Sequence, residues 1–350
     1  MRTYADMLAL VSQKLQDTSN TKFLVAEVHY QIEESLKELA SIPGHEHLVE
    51  IIFKIESRTG TASSTSANNL VDATESQFVA GDATNEKVIH NTTDNTWAVV
   101  LTFTSTSILA LSRDIMVSGE NYEIYNKRCW NKKQIYIGDV PPYIEIDSVE
   151  YPIGTKRSFT VKNGVLEFNI VGSLIEDSDS TQTELPDVDV LVRFNRAHIL
   201  SQLTDWAGEL TAGYAASIAS IGVDGLGTVE VVEEGEELYL ENQKALYTVT
   251  ADVTMVAGAG TLVIYPGLEA AALDNDDITF VKSSLKQDEE NDFASLVAGR
   301  LALNKAPKHF TLAGGSIWQS YLTWGEKTLA DTLKRLNRKP GKTKIAYSPY

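Results

Sequence analysis

Apolar positions at the start of the chain recur every three or four residues. Tyr4, Met7, Leu8, Val11 and Leu15 fall on one face of a helix. Thr3 and Asp6 stand at the spacing of a capping box, which predicts the helix start. The run Asp17-Thr18-Ser19-Asn20-Thr21 breaks the pattern with side chains that compete for the backbone. Val25, Val28, Ile32, Leu36 and Leu39 then predict a second helix, ended by Pro43-Gly44.

The helical period returns only near the other end, over about 289–336. Phe293, Leu296, Val297 and Leu301 share a face there. After Gly314-Gly315, where Ser316 and Gln319 have capping-box spacing, Trp318, Tyr321, Leu322, Leu329, Leu333 and Leu336 make a last stripe. Each helical pair leaves one apolar side uncovered, so the two chain ends are expected to cover each other.

Between the ends the pattern alternates. Val49–Ser57, Lys87–His90, Trp97–Thr104, Ile108–Ser112 and Tyr122–Tyr125 read as short strands, with 59–69 as a polar loop or edge. Gln134–Ile137, Tyr143–Tyr151, Ser158–Val161, Val165–Ile170 and Val190–Phe194 follow. Asn163-Gly164 between two alternating runs is a strong hairpin signal, because it supplies the positive φ angles of a type I′ turn. Residues 173–189 read as an acidic exposed loop and His198–Trp206 as a short helix. A second β segment, about 211–281, holds strands at Thr228–Val232, Glu237–Leu240, Tyr247–Ala251, Thr261–Ile264 and Asp277–Val281.

The fold class expected is α+β. A helical bundle platform is built from both chain ends, with a central antiparallel β region and two inserted β-sandwich or barrel modules. The expected divisions are 1–44 and 285–338 for the platform, 45–125 and 207–284 for the inserted modules, 126–206 for the central hairpins, and 339–350 for a tail.

Charge changes this picture. The 350 residues carry a net charge of −18, which argues against nucleic acid as a partner of the whole protein. The last twenty residues reverse the sign: Lys334, Arg335, Arg338, Lys339, Lys342 and Lys344 face one anion, Asp331. An acidic body with a basic tail predicts docking onto an acidic surface. Arg335 and Arg338 are the expected carboxylate contacts, because a guanidinium binds two oxygens at once. Tyr347 and Tyr350 add apolar anchorage.

No stretch approaches a membrane span. The single cysteine, Cys129, excludes an intrachain disulfide and is expected to be a small buried residue. There is no phosphate loop, no nucleophile elbow, and Gly258-Ala259-Gly260 lacks the third glycine of a dinucleotide site. His45-Glu46-His47 offers two imidazoles at strand spacing without a third ligand, so an exposed loop is expected. The six glutamates of Glu230–Glu241 are expected to form a solvated face. No enzyme activity, metal or cofactor is expected.

Three stretches carry a resemblance: Thr3-Tyr4-Ala5-Asp6-Met7-Leu8, then Gln16-Asp17-Thr18-Ser19-Asn20-Thr21-Lys22-Phe23 with the helix after it, and Tyr143-Ile144-Glu145-Ile146-Asp147-Ser148-Val149-Glu150-Tyr151-Pro152-Ile153-Gly154. With the basic-tailed C-terminal helix, they make the chain similar to the head-to-tail adaptor (connector) proteins of tailed bacteriophages. The two β segments depart from the compact members of that family. The resemblance implies a homo-oligomeric, dodecameric ring in the neck of the virion, assembled in the host cytoplasm. That ring would sit under the portal protein, extend the DNA channel without sequence-specific binding, and receive a downstream tail or stopper protein. The alternatives are another tail-completion or decorating virion protein and, from a different class, a carbohydrate-binding β protein. Against the last, Trp97, Trp130, Trp206, Trp318 and Trp324 are scattered along the sequence.

Overall fold

Helices and strands are mixed, as the change of period along the chain implies. The computed structural model describes residues 2–56, 58–169, 189–227, 230–309 and 315–337. They fall into two compact units, Met1–Val49 with Pro141–Glu145 and Phe194–Tyr350, and Glu50–Val140 with Ile146–Arg193.

In chain order the helices are α1 (Tyr4–Lys14), α2 (Val25–Ala40), α3 (Gly81–Thr84), α4 (Glu290–Lys305) and α5 (Gly315–Leu336). The first strands are β1 (His47–Lys54), β2 (Thr59–Thr61), β3 (Ser64–Ser66), β4 (Asn69–Val71), β5 (Val88–Asn91), β6 (Thr96–Ser105), β7 (Ile108–Leu111) and β8 (Asn121–Tyr125). Next come β9 (Gln134–Tyr136), β10 (Glu145–Glu150), β11 (Lys156–Arg157), β12 (Phe159–Lys162), β13 (Val165–Phe168) and β14 (Asp189–Arg196). The last are β15 (Ala207–Leu210), β16 (Ser220–Asp224), β17 (Val231–Val232), β18 (Glu237–Leu240), β19 (Tyr247–Val249), β20 (Val253–Thr254), β21 (Gly260–Tyr265) and β22 (Asp277–Phe280).

In the first unit, α1 opens with the capping box read from the sequence: Asp6 N–H donates to the Thr3 hydroxyl, and Thr3 N–H to the Asp6 carboxylate. Asp17 then organises the turn into α2. Its Oδ2 accepts the N–H groups of Lys22 (2.7 Å) and Phe23 (2.8 Å), and its Oδ1 accepts the N–H and hydroxyl of Thr21. Burial pushes the Asp17 carboxyl up, but the donated bonds from Phe23, Lys22 and Thr21 outweigh it and hold the group below its ordinary value.

Met7, Val11, Leu15, Phe23, Val28, Ile32, Leu36 and Leu39 share one apolar cluster with Phe293, Ala294, Val297, Leu301 and Leu336. Helix α4 is buried on every side, from Phe293 to Ala302, which explains its weak apolar period. It approaches α5 closely at Gly325, where a Cβ would lie 2.9 Å from the Ala302 Cβ. Polar pairs flank the apolar contact: Arg300 with Glu38, Lys305 with Glu27, and Asn304 with the Gln31 side chain.

The same unit holds a closed six-stranded barrel, ordered β15-β16-β21-β19-β18-β22. Leu210, Ile221, Val223, Leu238, Leu240, Val249, Leu262, Ile264 and Phe280 fill it. Strands β15 and β16 were not expected. Their Ala, Gly and Ser positions blunt the alternation, leaving only Leu210, Ile221 and Val223 to point inward. The short helix expected over His198–Trp206 is absent: this stretch is extended. Ser201 N–H donates to Lys282 O, Ser284 N–H to Ile199 O, and Leu200 bridges Ser283, so the backbone pairs across the chain instead of with itself.

The second unit carries a seven-stranded sheet, ordered β2-β8-β5-β6-β7-β4-β3, around a core that includes Leu70, Phe78, Ile89, Val100, Leu109, Tyr122 and Ile124. The polar stretch 59–69 supplies β2 and β3 at its two edges. Strands β12, β13 and β9 form a separate sheet, with Lys162 opposite Val165 across Asn163 (φ 53°) and Gly164 (φ 76°). Trp97 stacks at 3.8 Å on His90 and packs with Tyr125 and Cys129, whose thiol burial pushes up to about 12. A further sheet is ordered β1-β14-β10-β11.

Asp17 gives a direct test of the helical opening. Asp17→Ala leaves the N–H groups of Thr21, Lys22 and the buried Phe23 without their acceptor and should cost on the order of 2 kcal/mol in urea unfolding followed by circular dichroism. Asp17→Asn keeps one acceptor oxygen and should cost clearly less; equal losses would show that the carboxylate does not organise the turn.

Candidate functional site: a buried histidine and glutamate cluster beside an acidic cleft

The turn after α2 brings His45 inward. Its N–H donates to Ile42 O, Gly44 takes a φ of 92°, and the imidazole is 0 % exposed. Nε2 lies 3.1 Å from Leu336 O at the end of α5, and Nδ1 lies 2.9 Å from Oε1 of Glu289 at the start of α4. A carbonyl only accepts, so Nε2 carries a hydrogen. A second hydrogen sits between Nδ1 and the carboxyl, whichever partner owns it. Lys286 Nζ lies 3.4 Å from the same Glu289 oxygen.

His198 follows β14 and closes over this group from the other side. Its Nε2 donates to His45 O at 2.7 Å, and its Nδ1 lies 2.9 Å from the Ser284 hydroxyl, which accepts the Ile199 N–H. This is the bonding of a neutral ring. Burial drives the His198 pKa down to about 4, against the raising effect of its bond to His45.

His47 stacks on His198 with centroids 5.6 Å apart, and its Nε2 lies 3.1 Å from Oε2 of Glu237. Glu237 is fully buried and takes Arg196 Nη1 on Oε1 at 3.2 Å; the same nitrogen donates to Thr248 Oγ1 at 2.6 Å. Asn195 joins the group to α2, accepting His47 N–H and donating to Ala40 O. One polar cluster thus ties together α2, α4, α5, the end of β14 and the barrel.

Beside it opens a cleft of about 300 Å³, walled by Glu33, Arg196, His198, Glu233, Glu234 and Glu236 among others. Glu236 is 7 % exposed, and its Oε2 has no hydrogen-bond partner. Burial raises its pKa to about 7, with Glu233 and Glu33 adding like charge against the bonds from Ser201 and Gln202. Burial also raises Glu33. Chemically the cleft suits a cation: four glutamates line it, and burial with like charge raises two of them, Glu33 and Glu236.

Several expectations change here. His45-Glu46-His47 is not an exposed loop, because His45 and His47 turn toward buried carboxylates. The Glu230–Glu241 run is not one solvated face: Glu233, Glu234 and Glu241 are exposed, whereas Glu236 and Glu237 are buried. Arg335 does meet a carboxylate, but within the chain, with Nε 2.8 Å from Asp292 Oδ1. Lys334 lies with it in the last turn of α5. Arg338, Lys339, Lys342, Lys344, Tyr347 and Tyr350 lie outside the described residues. Sequence reasoning did not find Arg196, His198, Glu236 or Glu289, for which spacing offers no signal. Among the described residues no three His, Cys, Asp or Glu side chains are grouped to hold a metal ion, and no helix is long and apolar enough to cross a membrane.

The chain matches no family model, no curated protein and no solved structure.

The cluster makes two measurable statements. His198 has a depressed folded pKa, so its contribution to stability is full above about pH 6.5 and is lost as pH falls toward 4. A His198→Gln variant cannot titrate, and from pH 7 to pH 4 the wild type should lose on the order of 3 kcal/mol more than it does; parallel pH profiles would refute this. His45→Ala leaves Glu289 buried without its imidazole and should cost on the order of 3–5 kcal/mol in denaturant unfolding. Adding Glu289→Gln should recover part of that loss, and a purely additive double variant would contradict the pairing.

Proposed function

We propose that the protein is a structural virion component, a head-to-tail adaptor whose copies form a ring beneath the portal of a tailed bacteriophage. The observation that carries this reading is the helical opening. The stretch around Asp17 that resembles the adaptor opening has a physical role here: its carboxylate accepts the backbone of Thr21, Lys22 and Phe23. The helix pair it shapes shares its apolar cluster with helices from the other chain end. On this reading α1, α2, α4 and α5 act as a platform, and the basic segment beyond Leu336 leaves from it toward the portal. The closed barrel and the seven-stranded sheet are β modules that decorate this platform. The acidic body suits a channel that DNA passes without sticking.

Negative-stain images of the purified full chain should show closed rings with a central hole; a monodisperse monomer at micromolar concentration would count against the adaptor. Ending the chain after Asn337 should weaken binding to isolated portal rings at least about ten-fold, without DNA present, since it removes four of the six cations of the basic end. Undiminished binding would eliminate the docking role of the tail.

A further inference from the structure

The acidic cleft has an occupant available in the same chain. Its carboxylates differ from the buried Glu237, which already holds Arg196 and His47. The charges that raise Glu236 are those of Glu233 and Glu33, both negative. Glu236 is more than nine-tenths buried and keeps one oxygen without a hydrogen-bond partner in the wall of the cleft. Such a carboxyl is costly to bury charged unless a cation meets it. Burial and like charge together hold it up near neutrality, where an approaching ammonium or guanidinium would ionise it.

The chain's own cations start close by. Leu336 is 0 % exposed, and its carbonyl is fixed by His45. The His45 carbonyl is in turn fixed by His198, a wall residue of the cleft. Only two hydrogen bonds therefore separate the last turn of α5 from the cleft. Beyond Asn337 lie thirteen residues with Arg338, Lys339, Lys342 and Lys344 and no carboxylate side chain. Extended, they reach up to about 45 Å. Closing so short a loop costs little, and tethering gives an effective concentration on the order of millimolar.

We propose that the basic segment 338–350 seats in this cleft of its own chain, with its lysine or arginine head groups against Glu233 and Glu236. The contact is a latch in cis: it holds the tail on the protein's own acidic surface until a partner with more carboxylates displaces it. It stands apart from the virion reading, and its test uses no virion part.

The test uses a fluorescent peptide of residues 338–350 and reads anisotropy at moderate salt. The chain ending at Asn337 should bind the peptide. The full chain, its cleft already filled, should bind at least ten-fold more weakly. So should the shortened chain carrying Glu233→Gln and Glu236→Gln, two near-isosteric changes whose folding is checked by circular dichroism and thermal unfolding. Equal binding by full and shortened chains overturns the proposal, as does peptide affinity unchanged by the two substitutions, or no binding up to millimolar peptide. As a second measurement, a zero-length carbodiimide cross-linker applied to dilute full chain should join Lys342 or Lys344 to Glu233 or Glu234 within one molecule. Cross-links found only between molecules would overturn the contact in cis.

Discussion

The first unit depends on an imidazole that cannot be left alone. His45 is sealed from water between the Leu336 carbonyl on one side and the Glu289 carboxyl on the other. In a dry interior an unmatched donor or charge costs far more than a satisfied one returns. The ring is therefore held only where the end of α5 and the start of α4 meet it together. Three points far apart in sequence, at residues 45, 289 and 336, are fixed by one side chain. The apolar cluster of α1, α2, α4 and α5 supplies most of the stabilisation by burial. It does not by itself choose the positions of the helix ends, because apolar contact is non-directional. The polar bonds at His45 do.

Charge is sorted around this point in two ways. Glu237 is buried deepest and is matched twice, by His47 and Arg196, so its charge is spent within the fold. Glu33, Glu233, Glu234 and Glu236 lie around the adjoining cleft, and Glu236 sits there with an unmatched oxygen. His198 stands between the two groups. It keeps its ring neutral, so it neither competes with Arg196 for Glu237 nor neutralises the cleft. A fold that saturates one carboxylate and leaves its sequence neighbour short of a partner has a place for an added cation.

The adaptor reading and the latch draw on the same few cations at the end of the chain. A single copy of the cleft offers a handful of carboxylates, against which a tethered tail needs only weak intrinsic affinity. A ring-shaped acidic partner offers many such surfaces at once, and multivalent contact outweighs one intramolecular one. The two proposals then describe one segment in two states, exchanged by competition between acidic surfaces and sensitive to salt in both.

What the sequence by itself determined was local. The helix starts at Thr3 and the turn at Asp17 follow from side chains that bond their own near backbone. The hairpin at Asn163-Gly164 follows from backbone freedom at positive φ. The strands with clear alternation, such as β5–β8, were legible for the same reason: period two and turn residues act within a few positions. What only the tertiary structure decided was anything that depends on partners distant in sequence. The stretch 198–206 has a helical pattern but pairs with 282–284, because nearby backbone groups and the Ser284 hydroxyl offer bonds to an extended chain. Strands β15 and β16 are strands because the barrel needs them to close. His45 and Glu237 read as polar residues in polar runs, and their burial rests on groups 41 to 291 residues away. A carboxylate's neighbours in space, not in sequence, set whether its charge is matched, and that is why the cleft came only with the fold.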